Sequence, residues 1–152
     1  MTTIYVDADA CPVRAEVVRV AERHGAQVRI VSNGGIRPDP HPLVRMVVVD
    51  DGPDAADKWI ADRIGPEDLC VTADVPLAHR CVGAGARVLR HDGRAFTAAN
   101  INEALALRDL MADLRAANPL GAGGGAKPFA KADRARFLEA LERELRALKR
   151  PR

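Results

Sequence analysis

Five short aliphatic runs, spaced by helical patterns, constrain this chain more than anything else in its 152 residues. They are Ile4-Tyr5-Val6, Val28-Arg29-Ile30-Val31, Met46-Val47-Val48-Val49, Leu69-Cys70-Val71-Thr72 and Arg87-Val88-Leu89. Each is too short for a helix and nearly continuous in apolar residues, as strands buried on both faces are. Between them the period changes. Val13, Val17, Val18, Val20 and Ala21 recur at helical spacing after Pro12 and stop at Gly25, the usual asymmetry of helix ends. Asp54 to Ile64 reads as a helix, and so does Leu77 to Val82, closed by Gly83 and Gly85. Asn33 to Pro42 is rich in Gly and Pro and must be a loop. Strands alternating with helices predict a three-layer α/β fold, with a parallel sheet of about five strands between helices.

After Arg94 the character shifts. Thr97 is the expected N-cap of a helix through Ala117, with Ile101, Leu105, Leu107, Leu110, Met111 and Leu114 apolar. Asn118 to Ala126 is Gly-rich. A final helix is predicted from about Asp133 to Lys149, with Phe137, Leu138, Leu141, Leu145 and Leu148 as a stripe for core packing. The chain therefore divides into an α/β domain over 1–117, a Gly-rich linker over 118–132 and a basic C-terminal helix over 133–152 packed on the domain.

Aromatic residues are only 3% of the chain, so its core must be built from Val, Leu, Ile and Ala. The same scarcity excludes an RNA binder that stacks bases on an aromatic sheet face. No apolar run approaches the ~20 residues of a membrane helix, and residues 1–7 lack the basic flank and apolar stretch of a secretory signal. Cys11, Cys70 and Cys81 are odd in number and never spaced CxxC, so free thiols in a reducing cytoplasm are expected. The net charge of +2 hides an asymmetry: residues 127–152 carry nine Lys/Arg against four Asp/Glu, a balance of +5, and the rest of the chain balances at −3. A basic tail on a mildly acidic body points to an anionic partner, RNA or another nucleic acid, unless its charges are simply a solvated helix face.

Chemistry concentrates just after the strands. Asp7 and Asp9 follow the first, Asp51, Asp54 and Asp57 the third, and Asp74 the fourth. In a parallel sheet these groups share one edge, the edge where ligands bind when strand order reverses. Converging carboxylates repel, and a hard cation such as Mg²⁺ or Mn²⁺ removes the penalty while keeping positions for phosphate and water. Each acid also has a local explanation. Asp54 suits an N-cap with Asp57 in the first turn, Asp9 suits a cap before Pro12, and Asp50 and Asp51 suit a turn. Capping does not require Asp7, Asp57 and Asp74 to fall on the same edge, and those three form the candidate catalytic set. Ser32 and Asn33, after the second strand, are candidates to contact phosphate, as are Arg134 and Arg136 of the final helix.

Cys11 sits where a strand meets a helix, but position 17 is Val17 where a tyrosine-phosphatase loop needs Arg, so Cys11 reads as a packed side chain. Gly121 to Lys127 follows no strand and lacks the Ser/Thr of a phosphate-binding P-loop. His24, His41, His79 and His91 have no metal-ligand spacing.

Asp7-Ala8-Asp9-Ala10-Cys11-Pro12-Val13 resembles the N-terminal signature of the YaiI/YqxD family of uncharacterised bacterial proteins. Ser32-Asn33, Gly52-Pro53-Asp54-Ala55-Ala56-Asp57, Thr72-Ala73-Asp74-Val75-Pro76-Leu77-Ala78, Asn100-Ile101, Arg108-Asp109-Leu110-Met111 and Lys127-Pro128-Phe129 match it in order. That family is similar in turn to PIN and NYN domains, metal-dependent ribonuclease folds. The resemblance implies metal ligands at Asp7, Asp57 and Asp74, with Asp9 and Asp54 as helpers, and a metal-dependent ribonuclease. Two departures stand out: the central acid is Asp57 where many PIN domains have Glu, and the Gly-rich segment and final helix lie outside the PIN core.

Two other readings compete. Asp7-Ala8-Asp9 also resembles the nucleophile and acid/base pair of haloacid-dehalogenase-type phosphatases, although Lys58, the only Lys before position 127, follows the wrong element. A non-catalytic module is the third, with the acids holding a structural metal and the basic tail holding RNA or a protein.

Overall fold

The computed structural model describes residues 1–8, 11–52, 54–118 and 128–149. Among the described residues the order is β1 (Thr3–Asp7), α1 (Arg14–His24), β2 (Gln27–Ser32), β3 (Val44–Val48), α2 (Ala55–Arg63), β4 (Leu69–Val71), α3 (Val75–Gly83), β5 (Arg87–Leu89), β6 (Ala95–Phe96), α4 (Ile101–Ala117) and α5 (Lys131–Lys149). The sheet runs β3-β2-β1-β4-β5-β6. The first five strands pair in parallel, and β6 pairs antiparallel with β5.

The alternation of side chains along the strands builds the three layers. Ile4 and Val6 of β1 join Val28, Ile30, Leu69, Val71 and Leu89 on one face, under α1 and α5. Tyr5 points the other way, with Val31, Cys70 and Val88, under α2, α3 and the start of α4. Phe137, Leu141 and Leu145 of α5 are fully or almost fully buried in the first cluster. The final helix thus completes a layer of the core. Polar contacts tie it further: a hydrogen bond between His24 of α1 and Glu142, and ion pairs of Arg23 with Glu142 and Arg87 with Glu144.

Several boundaries differ from expectation. The third strand begins at Val44, two residues earlier, because Val28 N–H reaches the Leu43 carbonyl and Val28 pairs with Val44. The helix expected from Thr97 begins at Ile101, with Asn100 at its N-cap. Thr97 and Asn100 instead close a turn reciprocally: Thr97 N–H donates to Asn100 Oδ1 and Asn100 N–H to Thr97 Oγ1. The last helix starts at Lys131, within the stretch read as linker, and residues 119–127 of that stretch lie outside the described residues.

The sixth strand is the back half of a tight hairpin. Gly93 sits there at φ +92°, and a Cβ on it would stand 2.8 Å from the Arg136 carbonyl of α5. Only glycine permits both the backbone and the approach. No described helix is long and apolar enough to cross a membrane.

Candidate functional site

Strand order reverses between β1 and β4, since β2 and β3 extend to one side of β1 and β5 to the other. In parallel sheets ligands bind beyond the carboxyl ends of the strands at such a reversal, here β1 and β4. Asp7 is the last residue of β1, and Thr72 directly follows β4. Val6 pairs with Val71, so Asp7 and Thr72 leave the sheet side by side. The Thr72 hydroxyl donates to Asp7 Oδ2 at 2.9 Å and accepts the Asp74 N–H at 3.0 Å. This buried threonine aims the first-strand carboxylate and fixes the turn that carries the next acid. In the sequence Thr72 reads as the end of a strand and the start of a family motif, and its one local signal for this role is a hydroxyl two positions before Asp74.

Asp74 has a local role as well. Its Oδ1 accepts the Leu77 N–H at 3.0 Å and caps α3, with Pro76 in the first turn. The Asp54 side chain, expected as a cap, makes no cap hydrogen bond on α2. A carboxylate accepts at two oxygens, so capping by Asp74 is compatible with a ligand role.

Asp57 lies in the first turn of α2 and is half-buried. Burial, then the charges of Asp74, Asp7 and Asp54, push its carboxyl up to about 6, with Arg80 pulling the other way. The acids of β1 and of the β4–α3 turn therefore act on Asp57 of α2. Asp9 and Pro53 lie outside the described residues. Among the described residues, no group of three His, Cys, Asp and Glu side chains is arranged to hold a metal ion. The acids at this edge offer hard oxygen donors, the kind Mg²⁺ and Mn²⁺ take.

The other candidates spread out. The Ser32 hydroxyl is buried and accepts the Gly34 N–H at 3.2 Å, whereas Asn33 is exposed at the same sheet edge. Arg134 pairs with the buried Glu16 of α1, donates to the Pro12 carbonyl and stacks 5.0 Å over Phe129. Arg136 pairs with Asp133. Part of the basic tail is thus committed to holding α5 in place. Burial, then the charges of Asp7 and Glu16, push the Cys11 thiol up to about 11, opposed by a hydrogen bond from the Val13 backbone. That makes Cys11 a poor nucleophile at neutral pH.

The fold is that of a three-layer α/β protein with aspartates just after the carboxyl ends of its parallel strands. Within this class the chain belongs to the YaiI/YqxD family, described as "Uncharacterized BCR, YaiI/YqxD family", whose model matches residues 5–147. A UPF0178 protein of Ruegeria pomeroyi is 71% identical over 150 residues, covering 99% of this chain and 97% of its own. A UPF0178 protein of Roseobacter denitrificans is 62% identical over 146 residues, covering 96% of each. One of Parvibaculum lavamentivorans is 57% identical over 150 residues, covering 99% and 97%. No solved structure matches the chain.

Proposed function

We propose that this chain is a divalent-metal-dependent ribonuclease that hydrolyses phosphodiesters at the acidic sheet edge, as its resemblance to PIN and NYN domains implies. The observation that carries the reading is the hydrogen-bonded chain Asp7–Thr72–Asp74 at the strand-order reversal, with Asp57 close enough to be raised by both acids. Asp7 and Asp74 would hold Mg²⁺ or Mn²⁺, helped by Asp9 and Asp54. When bound, the ion would supply Lewis-acid polarisation of the scissile phosphate and offset the crowded negative charge. Thr72 orients Asp7, so that carboxylate needs little rearrangement on binding. Asp57, ionised above about pH 6, is the candidate to accept the proton of the attacking water. Asn33 and Arg80 would meet phosphate oxygens, with Ser32 shaping the loop behind Asn33. Arg134 chiefly anchors α5, and Arg136 is paired with Asp133.

Labelled single-stranded RNA incubated with Mn²⁺ tests the reading. Cleavage is expected, lost with EDTA and lost in Asp7→Asn and Asp74→Asn. Cleavage undiminished in Asp7→Asn would exclude this site. A covalent aspartyl-phosphate analogue trapped on Asp7 would select the phosphatase reading instead.

A further inference from the structure

The strongest feature left unexplained is the far half of α4. This helix has 17 residues, about 25 Å of rise, and of its apolar residues only Ile101 is buried. From Ala106 to Asn118 every residue except Ala112 is exposed. Leu107 is 58% exposed, Leu110 54%, Met111 46% and Leu114 53%. Their spacing of three and four places them on one stripe. Four large aliphatic side chains about half exposed on one stripe present on the order of a few hundred Å², the size at which an apolar patch marks an interface. An exposed half-helix of this length also gains little stability from propensity alone.

We propose that this stripe packs against the same stripe of a second copy of the chain, antiparallel, about a two-fold axis. Charge favours a self-complementary partner. The exposed part of α4 carries both signs: Glu103 in its first turn, Arg115 in its last, and Arg108, Asp109 and Asp113 between. Antiparallel pairing sets the Glu103 end of one helix beside the Arg115 end of the other and opposes the two helix dipoles. A two-fold interface requires such self-complementarity. A groove of ≈ 870 Å³ runs beside the stripe, with Leu107 and Met111 on one wall and Phe96 and Arg94 on another. Its arginines argue less for a nucleic acid than their number suggests. Asp92 stands 3.7 Å from both Arg90 and Arg94, and Asp109 stands 3.3 Å from Arg108. Aliphatic side chains with balanced charge fit a protein surface better than a phosphate backbone.

Sedimentation of the full chain across concentrations bracketing a micromolar Kd, from ~1 to ~200 µM, tests this. The mass is expected to rise toward twice 16.3 kDa, and Leu110→Asp or Leu114→Asp is expected to hold it at the monomer, with a melting temperature close to that of the unaltered chain measured dilute, where it is monomeric. A monomer throughout overturns the proposal. So does a dimer that survives both substitutions, because its interface then lies elsewhere. Should the variants unfold, hydrogen exchange in the unaltered chain decides. Amides 106–117 gain protection as concentration rises if the stripe pairs with itself. Protection independent of concentration, or gained by a monomer only on adding single-stranded RNA, overturns the proposal in favour of another cover.

Discussion

Replacing Asp57 by Asn should stabilise the protein at neutral pH and leave it unchanged in acid. The folded chain holds the Asp57 proton up to about pH 6. An unfolded Asp releases it near pH 4. Between those values the folded state binds more protons than the unfolded one, so stability falls as pH rises through the window. A gap of about two units corresponds to at most ~2.7 kcal/mol. Asp57 is only half-buried and solvent screens its neighbours' charges, which reduces the expected effect to about 1 kcal/mol. Asn keeps the shape and removes the charge that Asp74, Asp7 and Asp54 repel. For a chain of this size 1 kcal/mol is about 2–4 °C in melting temperature. Thermal melts of both proteins in EDTA at pH 7.5 and pH 4 make the comparison. The Asn variant should melt about 2–4 °C higher at pH 7.5, and the difference should vanish at pH 4. A variant that melts lower at pH 7.5, or equally at both, would refute the idea that Asp57 is crowded by other acids.

Saturating Mn²⁺ should raise the melting temperature of the unaltered chain, since a ligand at 100 times its Kd adds about 2.7 kcal/mol. Asp74→Asn keeps an N-cap acceptor, so it should melt normally without metal and respond much less to Mn²⁺, whereas Asp74→Ala should lose about 1 kcal/mol even without metal. Phe137→Ala, at a fully buried position, should cost about 3–5 kcal/mol in urea denaturation, and a cost under 1 would mean that α5 is not part of the core. Arg134→Ala should destabilise by about 1–2 kcal/mol because the buried Glu16 loses its partner; Arg134 is itself partly exposed, which caps the effect.

Much of the architecture was legible because strand and helix periods are local properties. The five aliphatic runs became the five parallel strands, and the loop from Asn33 to Pro42 separates β2 from β3. The Phe137, Leu141 and Leu145 stripe is buried as its spacing required. Local reasoning failed where two local solutions competed. Thr97 and Asn100 both suit an N-cap, and the reciprocal turn between them gave the position to Asn100. Asp54 suits a cap by its place before α2 yet makes no cap bond, whereas Asp74 caps α3. The stripe of α4 shows the opposite failure: its Leu and Met residues carry a core-like period, yet the fold leaves them exposed.

By itself the sequence determined that acids end the first and fourth strands and begin the helix after the third, since a strand's end is marked by its neighbours in the chain. It did not determine which strands are adjacent. That depends on how helices pack across a whole sheet, a sum of contacts between residues far apart in the chain. Only the tertiary structure decided that β1 lies beside β4, which brings Asp7 to Thr72 across 65 positions and joins what are otherwise separate turns. Only it decided, too, that Arg134 of the basic tail is spent on Glu16 of α1, because a buried carboxylate needs a partner wherever in the chain that partner lies.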